Sequence, residues 1–131
     1  MSTANGRLGT WLKVSGAVYA AGAAAFTARP GDTIRTLSIT GEPLEPEPAG
    51  VYTSLSSAYM ATIAALSFTG AAHPDARKHV IPGLLVAKAT SSAGLLVRYL
   101  QTRKMGFAVG AGVDALLLGV TAGLYAASND R

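Results

Sequence analysis

A chain of 131 residues holds one domain and is too short for two ordinary ones. Half of its residues are hydrophobic and only 14% are charged, against about 25% in a typical soluble domain. It has no cysteine, which excludes disulfides, thiolate metal sites and cysteine nucleophiles. Its net charge of +4 comes in ones and twos at the ends of apolar segments, so no basic face is offered to nucleic acid.

The first predicted span is 9–28. Val14 to Ala28 carries no charge and lies between Lys13 and Arg29. A start near residue 9 gives the roughly 20 residues that a helix needs to cross a bilayer core. Lys13 then sits near one end, where its stem can snorkel. Arg7 and Lys13, the apolar stretch after them and the Ala23-Ala24-Ala25 run also fit a signal peptide. We take the segment as a retained span.

The next segment, 29–50, has a different composition. Thr33-Ile34-Arg35-Thr36-Leu37-Ser38-Ile39 is a β-prone run. Gly41-Glu42-Pro43-Leu44-Glu45-Pro46-Glu47-Pro48 alternates prolines with acids and favours an extended, polyproline-like path. A loop of this length is either a spacer between two hairpins or a binding loop.

The second predicted span, 51–72, lies within a stretch from Pro48 to Pro74 that has no charge. Pro74 marks its stop. His73, Asp75 and His79 follow closely, and two histidines with one acid can hold a metal. Exposed loop histidines are common, and no metal is assigned. The third span, 80–100, carries Lys88 in its interior and Arg98 near its end, where the stem can snorkel, and the fourth, 105–127, carries the single charge Asp114. Gln101 to Lys104 joins them as a tight antiparallel hairpin. Trp11, Tyr52, Tyr99 and Tyr125 fall near predicted ends, where an amphipathic ring favours the membrane interface.

The expected fold is all-α: an integral membrane four-helix bundle made of two antiparallel helical hairpins. A soluble bundle would need a polar face on every helix. The second span has only Ser and Thr for one, and the fourth almost nothing. Two hairpins place both termini on one side. Arg7, Lys13, Arg77, Lys78 and Arg131 on that side balance Arg29, Arg35, Arg98, Arg103 and Lys104 on the other. The working orientation has both termini cytoplasmic, in the cytoplasmic (inner) membrane.

Helices associate in lipid through small residues at spacing four. The first span has Gly16, Ala20 and Ala24, and the second has Ser57, Ala61, Ala65 and Thr69. The third has Ala89 and Ala93 with Thr90 and Gly94 beside them. The fourth has Gly106 with Gly110 and Gly119 with Gly123, a surplus suited to a partner subunit.

Lys88 and Asp114 are the sharpest candidates for a site. A charge at mid-bilayer costs about 3 kcal/mol or more and normally faces the bundle interior with a partner. Across the tight hairpin the two differ in depth by roughly 6 Å at helical rise, a gap that a lysine stem largely spans. Ser91 and Ser92 share the face of Lys88, and Gly110, Thr121 and Tyr125 that of Asp114. Tyr19 and Tyr59 add hydroxyls from the first two spans. Four readings stay open: an ion pair that only holds register, a lipid or quinone-headgroup site, a proton or ion path, and an enzyme. No phosphate-binding glycine loop, Gly-x-Ser-x-Gly elbow or zinc motif is present, nothing marks a nucleophile, and no cofactor is implied.

Leu84-Leu85-Val86-Ala87-Lys88-Ala89-Thr90-Ser91-Ser92, followed by Val113-Asp114-Ala115-Leu116-Leu117, resembles small bacterial four-helix membrane proteins of the DoxX-like kind. The resemblance covers the third and fourth spans and the helix count. It implies an inner-membrane accessory protein, in some cases linked to quinone-dependent redox systems, and it carries over no catalytic residue. Two expectations of function follow. One is a non-enzymatic membrane accessory protein or subunit that binds another membrane protein, a second copy of itself, or a lipid or quinone. The other is a small membrane enzyme or carrier, which needs a cavity touching both Lys88 and Asp114.

Overall fold

The computed structural model describes residues 3–38 and 50–129, and every element among them is helical. α1 is Thr3–Ala28, α2 is Pro30–Leu37, α3 is Gly50–Ala72, α4 is Arg77–Thr102 and α5 is Met105–Asn129; a 3-10 turn, Pro74–Ala76, leads into α4. The acidic proline segment 41–48 and the side chain of Tyr52 lie outside the described residues.

Proline sets the breaks. Arg29 precedes Pro30 and leaves helical geometry, at φ −143° and ψ 67°. Pro30 then opens α2 at a position where its missing N–H is no loss. Here the β-prone expectation for Thr33–Ile39 is corrected: the part of it that is described is helix and turn. The preset φ of Pro30 starts the helix, and Asp32 sits in its positive first turn. The hydroxyls of Thr33, Thr36 and Ser38 donate back to the carbonyls of Arg29, Asp32 and Ile34. His73 before Pro74 breaks the chain in the same way, at φ −123° and ψ 91°. α4 ends at Arg103, which takes a left-handed φ of 58° and donates its N–H to the Tyr99 carbonyl.

α1 begins well before the expected residue 9. Trp11 is therefore inside the helix and not near its end. Three stretches are long and apolar enough to cross a membrane: Ser54–Ala72 in α3, Pro74–Thr102 over the 3-10 turn and α4, and Met105–Asn129, which is α5. α1 has the length, but its apolar residues are chiefly Ala and Gly, and Arg7 and Lys13 lie in its first half.

The long helices pair antiparallel. In the α1/α3 pair Gly16 lies against Phe68, and Thr27 donates to Ser57. In the α4/α5 pair Ser92 donates to the Ala111 carbonyl. Trp11 to Thr121 and Tyr19 to Asp114 tie α1 to α5, and Tyr59 to the Ala87 carbonyl ties α3 to α4. These cross-pair bonds lie at the level of Tyr19 or on one side of it. The apolar core lies on the same side: Leu8, Leu12, Tyr19, Ile63, Ala64, Ile81 and Leu84.

Burial is inverted relative to a water-soluble domain. Lys88, Arg77, Ser15, Ser67 and Thr121 are buried, whereas Val18, Leu55, Val86, Leu100, Val113 and Leu116 are exposed.

The small residues divide into two groups. A Cβ on Gly16 would fall 2.9 Å from the Phe68 ring, and one on Gly110 would fall 3.1 Å from Leu95. Gly106 is buried, and Ser57 takes the Thr27 bond. Ala20 and Ala61 face outward, and a Cβ on Gly119 or Gly123 would meet open space. Gly16→Ala is expected to lower stability by about 1–2 kcal/mol, because the Phe68 ring must shift. Gly119→Ala should leave stability unchanged or raise it by up to about 1 kcal/mol. Unfolding of both variants in detergent, followed by circular dichroism, reads the contrast.

Candidate functional site

Lys88 and Asp114 come together, but not as a direct ion pair. Lys88 is 1% exposed, and its Nζ donates to the Tyr19 hydroxyl at 3.1 Å. Tyr19 in turn donates to Asp114 Oδ1 at 3.0 Å. Ser91 donates to Asp114 Oδ2 in a short hydrogen bond. The expected contact between the two charges is thus corrected to a relay with a phenol in its centre. Distance explains it. The two side chains start about 6 Å apart in depth on adjacent helices, and the Tyr19 ring from α1 fills the space between them. Lys88 Nζ also lies 4.2 Å from the centre of that ring, where the electron-rich face attracts a cation.

The sequence places these groups well. Lys88 and Ser91 lie three apart on one face of α4, Asp114 sits opposite on α5, and α1 supplies Tyr19. Tyr59 stands beside Tyr19, ring edge toward ring face, with centroids 6.5 Å apart, and donates to the Ala87 carbonyl at 3.2 Å. Ser92 is spent on the Ala111 carbonyl, next to the cluster but bonded away from it. Thr121 is not part of the cluster. It lies two turns further along α5, buried, where it accepts from the Trp11 indole at 2.9 Å and donates to the Leu117 carbonyl.

Beyond the relay, on the side away from the core, the helix pairs diverge. A cavity of about 650 Å³ opens there, within the roughly 300–1,000 Å³ usual for small-molecule sites. Its walls are apolar and include Val18, Phe26, Leu55, Met60, Leu95 and Val109. Leu37 from α2 reaches its rim, which brings the first connection to the site. Tyr19, Tyr59, Ser91 and Asp114 are the polar lining beside the relay, and Ser56, one turn from Tyr59 on α3, adds a hydroxyl further along the wall. Lys88 is not part of the lining and sits behind Tyr19.

Arg77 was expected as a charge flanking a membrane span. It is instead buried, and its Nε donates to the Gly70 carbonyl at 2.8 Å. Its Nη1 donates to the carbonyl and side-chain oxygens of Asn5, at 3.2 and 3.3 Å. It pins the start of α1 to the end of α3. The only sequence signal for this is Gly9, which leaves 3.0 Å between its would-be Cβ and Arg77 Nη2. His73, Asp75 and His79 are all exposed, and among the described residues no three His, Cys, Asp or Glu gather as for a metal.

Tyr19→Phe removes the centre of the relay and is expected to lower stability by about 2 kcal/mol. Lys88→Met and Asp114→Asn should not be additive. The double variant should lose at least about 1 kcal/mol less than the two single losses combined, because each single change strands the other group. Equilibrium unfolding of the four proteins of that cycle measures the coupling, and additive losses would refute the relay.

No protein-family model, curated protein or solved structure matches this chain.

Proposed function

We propose that this chain is an integral membrane protein whose four long helices form one bundle of two antiparallel hairpins. In this reading it is a non-enzymatic accessory protein that holds an apolar molecule, a lipid or a quinone, in the cavity between the hairpins. The observation that carries the reading is the cavity itself: about 650 Å³, apolar along its walls, with the Asp114 carboxylate in its lining. Apolar walls with a few convergent polar groups are what a ligand with a long tail and a small head requires. The inverted burial supports membrane insertion, since Val, Leu and Phe face outward while Lys88 and Arg77 are buried. α1 crosses with the other three, shielded along one side by α3 and carrying Lys13 at the interface. The resemblance of α4 and α5 to DoxX-like proteins fits an accessory role in a cytoplasmic membrane, with both termini on the cytoplasmic side. The outward face of Gly119 and Gly123 is open to a partner membrane protein or a second copy.

An enzyme or carrier acting through both Lys88 and Asp114 would need both in the cavity. Only Asp114 lines it, so the binding role is preferred.

Two measurements test the reading. Gentle extraction followed by native mass spectrometry should find the chain with an apolar molecule bound. Val109→Trp, which fills the cavity, should lose that molecule, and Gly119→Trp, on an outer face, should keep it. Equal retention by both would place the molecule elsewhere. Single cysteines introduced into this cysteine-free chain report topology. Those at Ala76 and Asn129 should be labelled from one side of the membrane, and those at Thr36 and Thr102 from the other. Labelling of Ala76 and Thr102 variants from the same side would rule out the four-span arrangement.

A further inference from the structure

The protons of the cavity floor are all committed. Tyr19 donates its proton to Asp114 Oδ1, and Ser91 donates its proton to Oδ2. Tyr59 donates to the Ala87 carbonyl. The ammonium of Lys88 is the remaining strong donor nearby, and it is buried behind Tyr19 and outside the lining. A carboxylate offers about four acceptor positions, and a hydroxyl oxygen keeps acceptor capacity after its proton is given away. Two positions on Asp114 are used. The rest, with the oxygens of Ser91 and Tyr59, remain at the end of a cavity whose further lining is apolar but for Ser56, one turn beyond Tyr59 on α3.

Charge narrows the choice of ligand. Lys88 and Asp114 are joined through one phenol, so the local sum is zero. An anionic head would meet a carboxylate with no free donor beside it. A cationic head would add an unbalanced charge to a low-dielectric site. A neutral head with acceptors only would leave its own acceptors and those of the floor unpaired, and each unpaired buried group carries a penalty.

We propose that the cavity selects a neutral amphiphile whose head is a hydroxyl, donating its proton to Asp114 and lying beside Ser91 and Tyr59, with its tail along the walls toward Leu37. This rests on the ligand-binding reading above and adds the chemical class of the head. Lipid alcohols such as a diacylglycerol share this chemistry with the reduced, hydroquinone form of a quinone. The oxidised quinone, whose ring oxygens only accept, is disfavoured.

The test uses the full chain in detergent and one sixteen-carbon tail with four heads: hexadecanol, its methyl ether, hexadecylamine and palmitate. Native mass spectrometry or thermophoresis reads each affinity. Hexadecanol should bind about tenfold or more tightly than the other three, as expected when one buried hydrogen bond is made or missed. Asp114→Asn, which replaces acceptor positions with an N–H donor, should erase the advantage of the alcohol over the ether. Gly119→Ala, on an outer face away from the cavity, should keep that advantage, and the four heads compared on the parent chain decide the matter if Asp114→Asn does not fold. Four heads bound equally would overturn the head selection while leaving a ligand cavity intact. Failure of all four to bind would overturn the cavity reading itself, and head selection with it. Competition of hexadecanol against a diacylglycerol and against a prenylated hydroquinone separates the two sources. Displacement by the oxidised quinone as readily as by its hydroquinone would contradict the inference.

Discussion

A buried lysine governs this molecule. Lys88 sits mid-helix and out of contact with solvent, with its ammonium over the Tyr19 ring. An isolated ammonium in such a place is expensive, and it persists only with a partner of opposite charge and a complete set of hydrogen bonds. Its partner, Asp114, is on the next helix but offset in depth. Tyr19 closes the gap by accepting from one and donating to the other. That arrangement binds α1, α4 and α5 at one level. Below it the hairpins close on a core, and above it they part. The cavity is where the helices separate once the relay has fixed them.

The surroundings of the relay follow from the same constraint. Membrane helices gain nothing from hiding apolar surface from lipid, so their contacts depend on shape and on polar groups that cannot be left in hydrocarbon. Gly16 lets Phe68 lie against the α1 backbone, and Gly110 lets Leu95 approach α5. Arg77 performs a second pinning at the far end of the core, holding Asn5 and the Gly70 carbonyl together. Trp11 to Thr121 adds a third cross-link between hairpins on the same side. All three draw one end of the helices together. At the cavity end, α2 contributes Leu37 to the lining.

Much of the fold can be read in the sequence, because charge is absent over long stretches and proline marks the breaks. The helical hairpin of α4 and α5 follows from its short connection, and the pairing of Lys88 with Asp114 at similar depth follows from counting out from it. The phenol between them does not. Tyr19 lies 69 residues from Lys88, and no local pattern specifies which rotation of α1 faces the pair. The β-prone run after Arg29 misleads because Thr and Ile propensities are weak beside a proline that presets helical φ and hydroxyls that satisfy their own turn. Spacing-four stripes locate Gly16, but in a chain so rich in Ala they also select Ala20 and Ala61, which face outward. Thr121 shares a helix face with Asp114 by periodicity, yet two turns separate them, enough to give it a different partner.

The relay requires Asp114 to be an ionised acceptor held by Tyr19 and Ser91 opposite the Lys88 cation. Infrared spectroscopy of the membrane-reconstituted protein reads that state directly, by difference against Asp114→Asn. The parent should show a carboxylate stretching band that the variant lacks. A protonated-acid carbonyl band that disappears in the variant would contradict the relay and the acceptor-only floor built upon it.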